Sequence, residues 1–153
     1  MRKYCLLIIL FILHSMWAYA GADAYHIPPD FSIYNVQYKV QLNDGKWADK
    51  IPINMHVTPY ILISKEGSIS GFAGCNKFVG AIDINTKTHK FKVGSLISTK
   101  RACKNSTFQA LEVEFLKSLN KVVRYDILVD QLTLKDNNGY PILIFSGIKL
   151  QNK

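Results

Sequence analysis

Cys75 and Cys103 have the clearest chemical options in this sequence. Two thiols can pair as a disulfide, hold a soft metal ion, or lie free in a core. Cys75 sits in Gly71-Phe72-Ala73-Gly74-Cys75-Asn76-Lys77-Phe78-Val79-Gly80, and Cys103 ends Thr99-Lys100-Arg101-Ala102-Cys103. Neither belongs to a close-set Cys-x-x-Cys pair or has a nearby histidine, which disfavours a metal site. His26, His56 and His89 are scattered, with no His-x-x-x-His spacing. Gly67-Ser68-Ile69-Ser70-Gly71 has the wrong spacing for a nucleophile elbow. Glu112 and Glu114, two apart on an expected helix, point to different sides and make a poor acid/base pair. No glycine loop followed by lysine is present to cradle phosphate. The expectation is a protein without catalytic residues, cofactor or metal.

Binding chemistry has better candidates. Lys100, Arg101 and Lys104 are candidate anion contacts, and Lys87, His89, Lys90 and Lys92 form a second basic run. The competing account is a solvated strand face or turn, the ordinary role of a charge run. Gly71, Gly74 and Gly80 permit positive φ or close backbone approach at a corner. Asn76 tolerates left-handed geometry and can bond the local backbone. These four residues are expected to lock a corner; the alternative makes the loop and Asn76 a contact surface. Asn105-Ser106-Thr107 fits an N-glycosylation sequon.

The first residues place these groups in a compartment. Arg2 and Lys3 precede a continuous apolar run, Tyr4 to Leu13, and Ala18-Tyr19-Ala20 is a small-x-small site. That order predicts a signal peptide over 1–20, cleaved after Ala20. The run is about half of the ~20 residues that a membrane span needs, so no span is expected once it is removed. Cys5 lies inside the run, without the flanking residues of a lipoprotein site. Cleavage leaves 17 basic against 11 acidic residues, a balance of +6, which suits a soluble surface or an anionic partner. An exported chain meets little nucleic acid, so none is expected as a partner. Its two mature cysteines read as a disulfide, worth about 3–4 kcal/mol for a loop of that length. Two buried free thiols are the alternative.

With 153 residues, 48% of them hydrophobic, the chain has enough for one core. Residues 21–33, with Pro28-Pro29, are expected to be a flexible leader, and 147–153 a polar tail. Tyr34, Val36, Tyr38, Val40 and Leu42 alternate with polar residues, which predicts a half-buried strand ended by Asn43-Asp44-Gly45. Ile51 to Val57 reads as a strand or packed loop. Tyr60–Ser64 and Ser68–Phe72 read as a hairpin about Lys65-Glu66-Gly67. Phe78–Ile84 is the next strand, then two short pieces, Phe91–Val93 and Leu96–Ser98, divided by Gly94. Ser106-Thr107-Phe108-Gln109 matches a capping box with Ser106 as cap. Phe108, Leu111, Phe115, Leu116, Leu119 and Val122 follow at helical spacing, with Gln109, Glu112, Lys117 and Asn120 on the wetter side. A helix over about 107–120 follows. Val122–Val129, Gln131–Lys135 and Tyr140–Phe145 complete the strands, the last two joined by an Asn137-Asn138-Gly139 turn. The fold class is α+β: mostly antiparallel β, seven to nine short strands in a curled or cracked barrel with one amphipathic helix.

Gly71, Gly74, Cys75, Asn76, Phe78 and Gly80, followed by Thr99, Arg101, Ala102 and Cys103, resemble the paired blocks of the META/HslJ domain family. The resemblance covers residues 34–146, including Leu132-Thr133-Leu134 and the final hairpin. It implies a β-rich α+β domain like the cracked-barrel pilot proteins of secretion systems. It also implies a heat-shock or envelope-stress protein, periplasmic or secreted, of a kind linked to drug tolerance, secretion or virulence. No catalytic residue comes with it. Three departures stand out: Tyr38 in place of a first-strand tryptophan, Gln109 in place of an acidic residue early in the helix, and the missing lipoprotein site. The functional expectation is a non-enzymatic domain that binds a protein or small partner in the envelope; the alternative is a carrier holding an apolar peptide or lipid in its barrel.

Overall fold

A computed structural model describes residues 32–41, 58–103 and 105–150. The expected signal peptide, the Ile51–Val57 segment, His26, His56 and Lys104 lie outside these residues. Among the described residues, eight strands follow in chain order: β1 (Val36–Val40), β2 (Tyr60–Ile63), β3 (Ser68–Phe72), β4 (Lys77–Asn85), β5 (Lys90–Ser98), β6 (Arg124–Leu128), β7 (Gln131–Lys135) and β8 (Pro141–Lys149). One helix, α1 (Ser106–Leu119), stands between β5 and β6. Each strand pairs antiparallel with its sequence neighbours, and β1 pairs with β8 to close the barrel. The closing register runs from Val36 opposite Lys149 to Val40 opposite Phe145. This is the α+β barrel with one helix that the alternating pattern predicts.

The period-two pattern explains which face is inside. Val36, Tyr38 and Val40 are buried while Lys39 is exposed. Leu132 and Leu134 of β7 and Leu143 and Phe145 of β8 fill the opposite wall. The helix contributes Leu111, Phe115 and Leu119 to the same core. Phe115 has no exposure, and its ring stands 6.1 Å from that of Phe78 and 6.3 Å from that of Phe145. Burying such a ring contributes about 1.5–3 kcal/mol. The helix therefore stoppers the barrel with its apolar stripe.

The seam between β5 and β6 is thin. They share one paired position, Lys90 opposite Arg124, with amide bonds from Phe91 to Val123 O and Tyr125 to His89 O on either side. Elsewhere, β5 is one nine-residue strand, not two pieces. A bulge in β5, where Gly94 and Ser95 stand opposite the single residue Ala81 of β4, takes up the irregularity, so Gly94 passes close to Ala81 without breaking the ladder. Ile33 belongs to the core and β8 continues to Lys149, so ordered structure extends past both expected domain edges.

The helix begins differently from the capping-box expectation. Asn105, not Ser106, is the cap: its Oδ1 accepts from the Thr107 amide at 2.8 Å, and its backbone is extended. Asparagine caps at least as well as serine, and one residue earlier it lets Ser106 enter the first turn.

Candidate functional site

The corner between β3 and β4 brings the two sequence blocks together. Gly74 sits at φ 124°, a conformation that side-chain-bearing residues rarely adopt. Gly71 serves close approach instead: a Cβ there would meet Tyr60 O at 2.0 Å and the Phe78 ring at 2.9 Å. The turn so formed delivers Cys75 to Cys103, with Cα atoms 5.7 Å apart and the sulfurs bonded at 2.09 Å. The structure thus contains the Cys75–Cys103 disulfide.

Asn76, beside it, is 5% exposed and makes the densest set of polar contacts among the described residues. Its Oδ1 accepts from Thr99 Oγ1 at 2.8 Å and from the Arg101 amide at 2.9 Å. Its Nδ2 stands 3.2 Å from Arg101 O, 3.2 Å from Glu112 Oε1 and 3.6 Å from Cys75 Sγ. Its backbone amide donates to Glu112 Oε2 at 2.6 Å, and its carbonyl accepts from the Ala73 amide at 2.9 Å. Three pieces of chain are thereby joined: the corner, the 99–103 segment and the helix. Asn76 is not among the residues with positive φ, so it acts through its side chain and not through left-handed backbone. A buried amide must have its donors and acceptors met, and here neighbouring protein groups meet them.

Glu112 was missed by sequence reasoning, which placed it on the wet face of the helix. The helix presents Leu111 and Phe115 to the core, and Glu112 stands at the border of that stripe, half-buried. The signal available was a carboxylate one position from a core leucine, opposite a buried asparagine whose amides need an acceptor.

The other candidates divide. Thr99 and Arg101 join the corner, Arg101 through its backbone; the side chains of Lys100 and Arg101 are exposed there. A hollow of about 500 Å³ lies against them, lined also by Gln109, Glu112 and Val113. Phe78 and Gly80 belong to β4, Phe78 in the core and Gly80 against Leu96 and Ser95 O. The second basic run lies apart. Lys90 pairs with Asp83 at 2.7 Å and holds its carboxyl below the usual range. His89 stacks on Tyr125 with ring centres 5.3 Å apart, and its Nδ1 stands 3.8 Å from Asp126. A hydrogen bond from Lys135, with a smaller contribution from His89, holds Asp126 low as well. These are exposed pairs on a strand face, the solvated role expected of charge runs.

A closed up-and-down barrel, with one helix let in between its fifth and sixth strands and a corner pinned to that helix, defines a small all-antiparallel barrel class. Within it the chain belongs to the META domain family, whose model matches residues 32–147. A solved NMR structure from Burkholderia xenovorans is similar at 22% identity and TM-score 0.58, covering 77% of this chain and 85% of that one. A DUF4847 family protein from Bacteroides vulgatus is similar at 13% identity and TM-score 0.56, covering 78% and 96%. At these identities the likeness is one of fold. No curated protein matches the chain. No helix among the described residues is long and apolar enough to cross a membrane.

Proposed function

We propose that this is an exported, non-enzymatic META-type domain that acts by binding a protein or small partner, in envelope stress or virulence. One observation carries the reading. The corner turns its polar atoms inward, onto one another, and presents the Lys100 and Arg101 side chains and Val113 outward; Val113 is 61% exposed. Catalysis needs polar groups aimed at a reacting atom; a mixed basic and apolar rim on a rigid corner suits contact with a partner. The disulfide and the N-terminal charge-apolar-small order support export. The test is capture from envelope extract on immobilised mature protein, compared with Lys100→Glu/Arg101→Glu. A partner retained by the native protein and lost by the variant is the expected result. Equal retention by both rejects the corner as the contact.

A second reading, a carrier for an apolar peptide or lipid, is favoured by the open groove of about 750 Å³ beside the helix, lined in part by Ala110, Val113 and Ile142. The barrel interior is filled by Tyr38, Phe91, Phe115 and Phe145, so cargo would lie in that groove and not inside. Binding of a fluorescent fatty acid that Ala110→Trp abolishes would favour this reading over the first.

A further inference from the structure

We infer that reduction of the Cys75–Cys103 disulfide converts the corner into a binding site for a thiophilic divalent cation of the zinc class, with Cys75, Cys103 and Glu112 as ligands. Their donor atoms all lie within 4.8 Å of one another and each residue is half-buried; Cys103 and Glu112 line the hollow beside Arg101. Two thiolates on a tetrahedral zinc at ~2.3 Å stand ~3.8 Å apart. The Cα separation of 5.7 Å accommodates that spacing by side-chain rotation alone. Glu112 is a half-formed ligand: a carboxylate has about four acceptor positions, and the two contacts from Asn76 leave the others free.

The surroundings match what metal ligands need. Asn76 Nδ2 faces both Cys75 Sγ and Glu112 Oε1, and the Asn76 amide faces Glu112 Oε2. Such outer hydrogen bonds orient ligating sulfur and carboxylate. Thiolate softness selects zinc-like ions over magnesium or calcium. Three protein ligands leave the fourth position to water or to a partner's side chain. Close-set cysteines, the usual sequence sign, are absent because the third ligand comes from the helix.

The chemistry balances in two steps. An external dithiol gives two electrons and two protons to the Cys75–Cys103 bond and becomes a disulfide itself, leaving two protein thiols. The divalent cation then displaces both thiol protons to form two metal–sulfur bonds. The oxidised protein, whose sulfurs are bonded to each other, offers no thiolate. The corner is thus a cation site masked by oxidation.

The experiment uses the full chain carrying Cys5→Ser, so that Cys75 and Cys103 are the remaining cysteines. Oxidised protein and protein reduced by a dithiol, freed of reagent under nitrogen, are titrated with Co²⁺ alone. The expected result is one equivalent bound by the reduced form, with a sulfur-to-cobalt charge-transfer band displaced by Zn²⁺, and none by the oxidised form. Glu112→Gln should weaken binding by about 10-fold or more. Any of three outcomes overturns the inference: a reduced, folded protein without the band; equal affinity in Glu112→Gln; or loss of near-ultraviolet circular dichroism on reduction, which would show that the site does not survive opening of the disulfide.

Discussion

The backbone amide of Asn76 donates to Oε2 of Glu112 at 2.6 Å, across a sequence separation of 36. That bond fastens the β3–β4 corner to the second turn of the helix whose Phe115 stoppers the barrel. The amide side chain of Asn76 meets the same carboxylate, so the pair makes a two-point latch.

Removing the latch should be costly. Asn76→Ala takes the side-chain partner from the Thr99 hydroxyl, the Arg101 amide and Glu112 Oε1, while the backbone amide still donates to Glu112 Oε2, at about 1–3 kcal/mol for each group left buried and unmet. We expect a loss of about 2–4 kcal/mol in a urea melt. Glu112→Ala should lose less, and the double-mutant cycle should show a coupling of about 1–2 kcal/mol. Strict additivity would show that the contact contributes nothing.

The disulfide closes a separation of 28 residues. Cys75→Ala with Cys103→Ala should cost about 2–5 kcal/mol. Thiol counting on denatured native protein should find neither cysteine reactive, and an unchanged melting temperature in the double variant would refute a stabilising role.

Tyr38 carries a buried hydroxyl with no hydrogen-bond partner among the described residues. Burial, and secondarily Tyr125, push its pKa well above the ordinary tyrosine value. The folded state therefore resists ionisation. Its stability is intact below the unfolded tyrosine pKa of ~10 and declines as pH rises beyond it, because the unfolded chain alone releases the proton. Tyr38→Phe should be stabilising by about 1 kcal/mol at neutral pH. It should also flatten the fall in melting temperature between about pH 10 and 11.5. A destabilised Phe variant would show that the hydroxyl has a partner.

Val129 stands at φ 57° in the two-residue link between β6 and β7. A β-branched side chain in the left-handed region costs about 1–2 kcal/mol. Two-residue hairpins favour glycine where φ is positive. Val129→Gly should stabilise the fold by about 1 kcal/mol net of the added chain entropy, read as a raised melting temperature. A fall would mean that packing of the valine methyls outweighs the backbone cost.

The barrel was legible because its strands are half-buried: alternation in Tyr34–Val40 and Gln131–Lys135 is a direct trace of two faces. The hairpins were legible from turn chemistry, as at Gly139, which sits at φ 81°. Less visible was anything set by contact between distant segments. Gly94 looked like a strand breaker because a glycine inside a strand can mark either a break or a bulge, and only the pairing of β5 with β4 decides for the bulge. Asn76 and Glu112 each looked like an ordinary polar residue; only the fold sets them face to face. Closure by β1 and β8 left no local mark, since pairing of the first strand with the last depends on barrel curvature and not on either sequence alone.

Closure by antiparallel first and last strands has a mechanical consequence. Val36 faces Lys149, and Leu150 N reaches Asn35 O at 3.5 Å, so the start of the first strand and the end of the last lie at the same rim. Tension applied to the two ends falls first on that outermost rung, then on each next rung in turn, so the strands peel apart instead of sharing the load as sheared strands do. The barrel should open at low force when drawn through a narrow pore from its ends. Extension would then halt short of full length, because the covalent loop from Cys75 to Cys103 keeps its 28-residue span out of the line of pull.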